Sequence, residues 1–291
     1  MKGVDVFREI TPLTQADCFL LFDRNKKRFD FPVHRHKEME LNLILNAAGA
    51  KRVIGDHSAE VSDSELVLTG PGLKHGWLNH HCKSDQIREI TIQFHEDILG
   101  EAMLNRDHLN AIKIMFQASV KGIVFLSETI NEVSSQIVAL SGKSGFDSVV
   151  GFLKILHQLS LSPYKCLCDA EFVEKDIVEE VLIEKALSFI NEHYQQQLTF
   201  TETAKAVNLP DDLFSRMLKR STGLTFNDCL ARIRLGHVSR LLIENNYPVG
   251  EIAYRCGFNN LTNFHRIFKL KKLCTPKQFR EKYSGNRLAV Y

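Results

Sequence analysis

No pair of cysteines in this sequence has the CxxC spacing of a zinc site, and the total of seven cysteines is odd. The sequence therefore indicates neither a zinc finger nor a disulfide framework. It also lacks the run of about 18 apolar residues that a transmembrane helix requires. Asp5, Arg8 and Glu9 stand where a signal peptide needs an apolar block, so we expect a cytoplasmic protein.

The charge of the chain is nearly balanced, at 37 Lys and Arg against 35 Asp and Glu, but it is unevenly distributed. Residues 181–291 contain 17 basic and 9 acidic side chains, a net charge of +8. Residues 1–180 contain 20 basic and 26 acidic side chains, a net charge of −6. This asymmetry suits the C-terminal part to a polyanion such as nucleic acid, although charge alone does not identify one.

Short apolar segments separated by turn signals occupy residues 18–95. The segments are Cys18–Phe22, Glu40–Leu45, Glu65–Leu68 and Ile87–Phe94, and Gly70-Pro71-Gly72 is a firm break. Short segments with regular turns predict the strands of a β-barrel or β-sandwich.

Helical spacing of apolar residues replaces this pattern after about residue 97. It runs through Leu109–Phe116, Ser127–Leu140 and Gly145–Leu161. These helices either cover the barrel or form a dimer interface. We predict a linker at Ser162–Phe172 and helix throughout from Ile177 onward.

An internal repeat is the strongest signal in the basic half. Phe214–Lys219 and Phe264–Lys269 lie 50 residues apart and share a Phe, an Arg, an apolar pair and a Lys. Upstream, Ala204–Leu209 parallels Ala253–Phe258 with an offset of 49 residues. Each copy predicts a helix, a short turn and a second helix.

The turn and the second helix of each copy have side chains suited to helix-turn-helix geometry. Asn208 and Gly257 are able to adopt positive φ at the turn. In the second helix of each copy, Phe214 or Phe264 begins the apolar face that points inward. The Arg and Lys residues lie on the opposite face. Arg binds guanine O6 and N7, and Lys contacts phosphate. An ordinary helical hairpin with a solvated basic face is the alternative; two matching copies favour DNA binding.

Residues from about 184 to 283 resemble the DNA-binding domain of the AraC/XylS family of bacterial transcription regulators. Matching runs include Thr222–Phe226, Arg232–Leu235, Glu251–Phe258 and Thr275–Arg280. The resemblance implies two helix-turn-helix units joined by one helix, Phe226–Ile243, that enter successive major grooves of promoter DNA. It also implies RNA polymerase as a partner and a homodimer. The implied DNA-contacting residues, with the two lysines of the repeat, are Asp212, Ser215, Arg216, Lys219, Asn260, Leu261, Thr262, His265, Arg266 and Lys269.

Two histidine motifs in the acidic half resemble those of the cupin superfamily, which consists of small β-barrels. His34–Glu40 has the spacing HxHxxxE, and Pro71–Asn79 has the spacing PGxxHxxxN. Alternation places His34, His36, Glu38 and Glu40 on one face of an extended chain.

The cupin resemblance implies a ligand set for a divalent metal. Imidazole with carboxylate suits Fe, Mn, Ni or Zn, and a metal-free effector pocket is the alternative. Trp77 either stacks on a sugar effector or belongs to the core. The implied metal ligands are His34, His36, Glu40 and His75, and the same four residues with Trp77 are the implied effector-binding set.

The sequence therefore predicts an α+β protein with two domains. A cupin-like β-barrel with flanking helices spans residues 1–165, a linker spans 166–180, and an all-α domain with two helix-turn-helix units spans 181–285. The predicted function is a DNA-binding transcription regulator that responds to a small molecule, often a carbohydrate, and is not an enzyme. Two alternatives are a metal-dependent cupin enzyme with a DNA-binding appendage and an architectural DNA protein without an effector.

Overall fold

The computed structural model describes residues 6–9, 11–14, 16–168, 177–244, 246–272, 274–283 and 288–290. The chain divides into two units. The N-terminal unit comprises Gln15–Val173 and Leu288–Tyr291, and the C-terminal unit comprises Met1–Thr14 and Glu174–Arg287. Residues 6–9 and 11–14, which the predicted division assigns to the first domain, thus group with the C-terminal unit. Residues 169–176 of the predicted linker lie outside the described residues.

The elements follow the predicted order of strands first and helices later. The strands are β1 (Phe7–Arg8), β2 (Phe19–Lys26), β3 (His34–Arg35), β4 (Met39–Leu45), β5 (Lys51–Ile54), β6 (His57–Glu60), β7 (Glu65–Thr69), β8 (His75–Leu78), β9 (Ile87–Phe94), β10 (Ile123–Phe125), β11 (Tyr164–Cys166) and β12 (Leu288–Val290). The α-helices are α1 (Glu101–Leu104), α2 (Asn110–Ser119), α3 (Ser127–Leu140), α4 (Gly145–Ser160), α5 (Ile177–His193), α6 (Phe200–Ala206), α7 (Asp211–Thr222), α8 (Phe226–Glu244), α9 (Val249–Arg255), α10 (Leu261–Lys272) and α11 (Pro276–Tyr283).

Two sheets form the N-terminal unit. The larger has the strand order β11-β10-β7-β4-β9-β2-β12, and the smaller contains β3, β8, β5 and β6 in that order. The described strands thus pair as two separate sheets and not as one closed barrel. β12 is antiparallel to β2. The prediction of helix throughout from Ile177 onward is wrong for Leu288–Val290, because helical periodicity does not reveal a segment that completes the edge of a distant sheet.

Both faces of the larger sheet are buried at its central strands β7, β4 and β9, and the two faces differ in chemistry. On β4, Leu41 and Leu43 pack into an apolar cluster with Phe152 and other residues of α2, α3 and α4. The alternate residues Glu40 and Asn42 belong to the opposite face. One face of this sheet is therefore covered by helices, and the other offers buried polar groups.

Helix α8 organises the C-terminal unit, because its residues contribute to two separate apolar clusters. Ile233 packs with Phe214 of α7 in the first cluster, which also includes residues of α5 and α6. Val238 packs with Phe264 of α10 in the second cluster, which also includes residues of α9 and α11. Each of the two helix pairs therefore has a core of its own.

The first residues of the chain pack against this helical unit. Arg8 is buried and forms an ion pair with Glu184 of α5. The Asn191 side chain donates a hydrogen bond to the carbonyl of Leu13 at 3.0 Å. Gly236 of α8 leaves room for Pro12, whose Cβ lies 3.5 Å from the position that a side-chain carbon would occupy. Residues 6–9 and 11–14 are thus a structural part of the C-terminal unit.

Among the described helices, none has both the length and the apolar character needed to cross a membrane.

Candidate functional site

The four side chains implied by the cupin-like motifs lie together in the N-terminal unit. His34, His36, Glu40 and His75 are all buried, and their ligand-type atoms all lie within 4.8 Å of one another. His34 pairs with His75 where β3 meets β8, and Glu40 reaches them from β4 of the larger sheet. We call these four residues the histidine centre.

Alternation predicts that His34, His36 and Glu40 share one face of a single extended strand. The structure does not contain such a strand. β3 ends at Arg35 and β4 begins at Met39, so the chain passes from one sheet to the other between the two motif ends. Glu38, which alternation places on the same face, is not one of the four converging groups.

Glu40 is contacted by four polar side chains. His36 Nε2 lies 2.9 Å from Glu40 Oε2, and His75 Nε2 lies 3.1 Å from Oε1. Gln93 donates an amide hydrogen to Oε2 at 2.8 Å, and Asn42 donates one to Oε1. The amide donors of Gln93 and Asn42 stabilise the ionised carboxylate in a buried position.

Backbone carbonyls orient all three histidine rings. The Nδ1 atoms of His34, His36 and His75 lie 3.0, 3.1 and 2.8 Å from the carbonyl oxygens of residues 32, 38 and 73, respectively. A carbonyl only accepts, so each Nδ1 carries the hydrogen and each Nε2 of a neutral ring presents a lone pair. The Nε2 atoms of His36 and His75 then face the Glu40 oxygens, and a shared cation, either a proton or a metal ion, stabilises this contact. Nδ1–H bonds of this kind are what orients histidines that bind metals through Nε2.

The pKa values of the centre follow from burial and from its internal contacts. Burial alone raises the pKa of Glu40, but His75 and His36 outweigh burial and hold that pKa well below its usual range. Burial lowers the pKa of His75 against the opposing effect of Glu40. At neutral pH, an ionised carboxylate therefore lies next to a neutral His75 ring, the state in which both are able to bind a divalent cation.

Trp77 lies in the core between residues of both sheets. Its side chain is 5% exposed and packs with Ile44, Ile54 and Val67. The indole Nε1 donates to Glu65 Oε1 at 3.0 Å. Sugar stacking by Trp77 stays a prediction, and in this structure the ring is a core group with a satisfied N–H.

A row of polar side chains continues from the histidine centre along the larger sheet. Gln93 and Thr91 of β9 lie opposite Glu40 and Asn42 of β4, and the Thr91 hydroxyl donates to Asn42 Oδ1 at 2.8 Å. The cupin motifs contain neither Gln93 nor Asn42. The alternation of Glu89, Thr91 and Gln93 with apolar residues was the available signal, because it marks one face of β9 as polar.

The first helix pair of the C-terminal unit consists of α6 and α7. Thr199 caps α6 in a reciprocal arrangement with Glu202, and Asn208 has φ 55° in the turn, as predicted. Phe214, Met217 and Leu218 are buried. The predicted contact residues on the outer side are all exposed: Asp212, Ser215, Arg216 and Lys219.

Arg216 and Lys219 each form a hydrogen bond with a backbone carbonyl. Arg216 Nε lies 3.4 Å from the carbonyl of Asp212, and Lys219 Nζ lies 2.9 Å from that of Gly223. The Asp211 carboxylate accepts a hydrogen bond from the Thr201 hydroxyl at 2.9 Å. Both basic side chains therefore lie on a solvated face of α7, whose first turn carries the acidic residues Asp211 and Asp212 and whose last turn carries Lys219.

The second helix pair consists of α9 and α10. Gly257 has φ 81°, as predicted, and a Cβ there would lie 2.5 Å from the carbonyl oxygen of Tyr194, so only glycine fits. Asn260 accepts a hydrogen bond from the backbone N–H of Asn263 at 2.8 Å and so caps α10. Leu261 packs against the apolar cluster of this pair, whereas the other predicted contact residues are exposed: Asn260, Thr262, His265, Arg266 and Lys269.

Two arginines lie in the runs that resemble the AraC/XylS family, and their hydrogen bonds connect segments of the C-terminal unit. Arg234 donates to the carbonyls of Tyr194 and Gln196 at 2.8 and 2.7 Å. Arg280 donates to the carbonyls of Leu242 and Tyr247 at 3.1 and 2.6 Å. These motif positions are therefore structural.

Comparisons with known proteins agree with the helical geometry. Residues 203–282 match the family described as "Helix-turn-helix domain". The chain is 22% identical over 256 residues to the HTH-type transcriptional activator RhaR of Mannheimia succiniciproducens, which covers 87% of this chain and 88% of that protein. It is 30% identical over 114 residues to the lactose operon transcription activator of Staphylococcus xylosus, covering 39% of this chain and 40% of the relative. Both relatives are named as transcription activators.

Solved structures resemble the chain over most of its length. Apo ToxT of Vibrio cholerae strain SCE256, in a variant form, has a TM-score of 0.58 and 15% identity, and it covers 92% of this chain and 98% of that chain. Wild-type ToxT of that strain with a bound unsaturated fatty acid has a TM-score of 0.52 and 16% identity, covering 92% and 96%. At such identity the likeness shows a shared fold. The match at residues 203–282, together with the repeated helix pairs, shows a helix-turn-helix domain in the C-terminal unit that resembles the DNA-binding domain of AraC/XylS regulators.

Proposed function

We propose that the protein is a bacterial cytoplasmic activator that binds promoter DNA with two helix-turn-helix units and responds to a small molecule held by its N-terminal unit. The observation that carries this proposal is the pair of equivalent helices α7 and α10. Each buries an apolar face in its own cluster and exposes an Arg and a Lys at equivalent positions. One such helix suits a major groove, and two suit successive grooves of one DNA face.

The proposed division of labour on these helices follows from side-chain geometry. Arg216 and Arg266 read guanine through two parallel hydrogen bonds, whereas Lys219 and Lys269 bind phosphates as point charges. Arg266 Nη2 is held at 2.9 Å from Asn263 Oδ1, which restricts its rotation before binding. The remaining proposed contacts are Asp212, Ser215, Asn260, Leu261, Thr262 and His265.

We expect Arg266→Ala to lower affinity for the specific operator by about 1–3 kcal/mol and to relax base preference at one position. Lys269→Ala is expected to weaken binding to all sequences to a similar extent and to reduce the salt slope by about 1. Fluorescence anisotropy with operator and scrambled duplexes at several salt concentrations measures both effects.

Lys269 is a matched control for Arg266 because both are exposed on the same helix. Circular dichroism should give the same unfolding midpoint for the two variants. Unchanged selectivity of Arg266→Ala in a competition assay would reject Arg266 as a base-reading residue.

The proposed effector is a small polar metabolite, such as a sugar. The interior face of the larger sheet offers Glu40, Asn42, Thr91 and Gln93, all buried, which are hydrogen-bonding groups for a polar molecule. The lactose operon activator among the relatives also supports a sugar. The proposed effector-binding residues are His34, His36, Glu40, His75 and Trp77, and a homodimer and RNA polymerase are the proposed protein partners.

The donor set of the histidine centre fits a divalent metal, and we propose one there. Three Nε2 atoms oriented by backbone carbonyls and one ionised carboxylate suit Fe, Mn, Ni or Zn. Such an ion would supply a Lewis-acidic binding position for an oxygen of the effector. A metal-dependent enzyme reaction has no support from the relatives, which are activators.

Glu40→Gln is expected to weaken metal binding by at least about 10-fold, because it removes the charged ligand of the centre. Elemental analysis of the purified full chain, dialysed to remove surface-bound ions, should find one divalent metal per chain in wild type and little in the variant. His157→Ala, a change at an exposed residue of α4, is the control. Wild-type protein without stoichiometric metal would reject the metal assignment while leaving the DNA-binding proposal intact.

A further inference from the structure

A second group of ligand-type side chains lies on the surface of the N-terminal unit. Glu60, His80 and His81 are exposed, and their ligand-type atoms all lie within 4.8 Å of one another. Glu60 is the last residue of β6, and the two histidines follow β8. We call these three residues the surface triad. None of them belongs to the histidine centre.

The backbone turns both histidine rings toward the same carboxylate oxygen. Consecutive residues of an extended chain point in opposite directions. His80, however, has φ 45°, a left-handed conformation that is uncommon for a non-glycine residue. As a result, His81 Nδ1 lies 3.0 Å and His80 Nε2 lies 3.5 Å from Glu60 Oε2, and the ring centroids are 3.7 Å apart.

Hydrogen bonds hold the backbone of the triad in this shape. The His81 N–H donates to the carbonyl of Gly49 at 2.8 Å. A Cβ at Gly49 would lie 2.9 Å from the His81 carbonyl group, so the two segments are in close contact. Asn79 exchanges hydrogen bonds of 2.8 and 3.0 Å with the backbone of Phe29. The three ligands therefore lose little freedom when an ion binds.

We propose that the surface triad binds a divalent transition metal of the zinc class. Two imidazole nitrogens and one carboxylate oxygen are the ligand types that Zn²⁺ accepts, and three protein ligands leave the fourth tetrahedral position open. The three side chains are 53%, 39% and 71% exposed for Glu60, His80 and His81. An ion therefore reaches the triad directly from solvent, and the open position faces solvent, where water or a ligand from another molecule completes the coordination.

Isothermal titration of the full chain with zinc alone, after dialysis against a chelator and then chelator-free buffer, tests this site. We expect wild type to show a zinc-binding event that His80→Ala/His81→Ala loses and that Glu60→Gln weakens by at least about 10-fold. His157→Ala should retain the event. Glu40→Gln should retain it as well, which separates the surface triad from the histidine centre.

Glu60→Gln also distinguishes loss of a metal ligand from loss of the fold, because it alters one exposed group and leaves both histidine rings in place. An event of unchanged affinity and stoichiometry in both triad variants would overturn the proposal. Absence of any zinc-binding event in Glu40→Gln would overturn it too, since all zinc would then be bound by the histidine centre.

Discussion

Replacing Phe264 by Ala is expected to unfold the second helix pair and with it to abolish specific DNA binding. Phe264 is fully buried, and its ring lies 5.1 Å from that of Phe258 and 5.8 Å from that of Phe268. A Phe→Ala change in a core costs about 3–5 kcal/mol, through lost burial and the remaining cavity. That is a large part of the roughly 5–15 kcal/mol that stabilises a typical domain.

Leu270→Ala is the matched control, because Leu270 lies on the same helix and is 64% exposed. Its free energy of unfolding should change by no more than about 0.5 kcal/mol. Urea unfolding followed by circular dichroism measures stability, and anisotropy with operator DNA measures binding. Equal unfolding midpoints for the two variants would contradict the assignment of Phe264 to the core.

Local patterns of apolar residues were sufficient to predict the central strands and one of the helices of the N-terminal unit. β4, β7 and β9 coincide closely with the predicted strands, and α3 spans the predicted residues Ser127–Leu140. The repeat also predicted the positive φ of Asn208 and Gly257. These features are local, since each depends on side-chain spacing or on one residue's backbone freedom.

Contacts between distant segments were not predictable in the same way. β5 and β6 form a hairpin of partly exposed residues, which has little apolar signal, and only its turn at Gly55-Asp56 marks it. The ion pair between Arg8 and Glu184 joins residues far apart in the chain, and no periodic pattern links them. The histidine centre was partly predictable: spacing identified its four residues, whereas the assembly from two sheets required the strand pairing.

The buried ion pair between Arg52 and Glu65 gives the second large expected effect. Arg52 is 5% exposed and Glu65 is 6% exposed, and Trp77 donates to the same carboxylate. Arg52→Met leaves that carboxylate buried without its cation, which costs about 3–5 kcal/mol. Trp77 is the only tryptophan, so its fluorescence during urea unfolding reports on the N-terminal unit.

The double variant Arg52→Met/Glu65→Leu distinguishes loss of the pair from loss of packing. Replacing both partners with apolar residues of similar volume is often neutral or stabilising, because no charge remains buried. We therefore expect the double variant to recover most of the stability that Arg52→Met loses. A double variant as unstable as the single one would show that side-chain packing, and not the uncompensated charge, explains the loss.

The stability loss of Arg52→Met should also depend on pH. Burial raises the pKa of Glu65, and Arg52 opposes this effect, so the variant is left with a still higher folded-state pKa. A carboxyl group with a raised folded-state pKa stabilises the fold most when protonated, and this contribution is lost as pH rises through that pKa. The deficit relative to wild type should therefore be smaller at pH 5 than at pH 8. An equal deficit at both pH values would mean that the ionised Glu65 carboxylate is not the group that destabilises the variant.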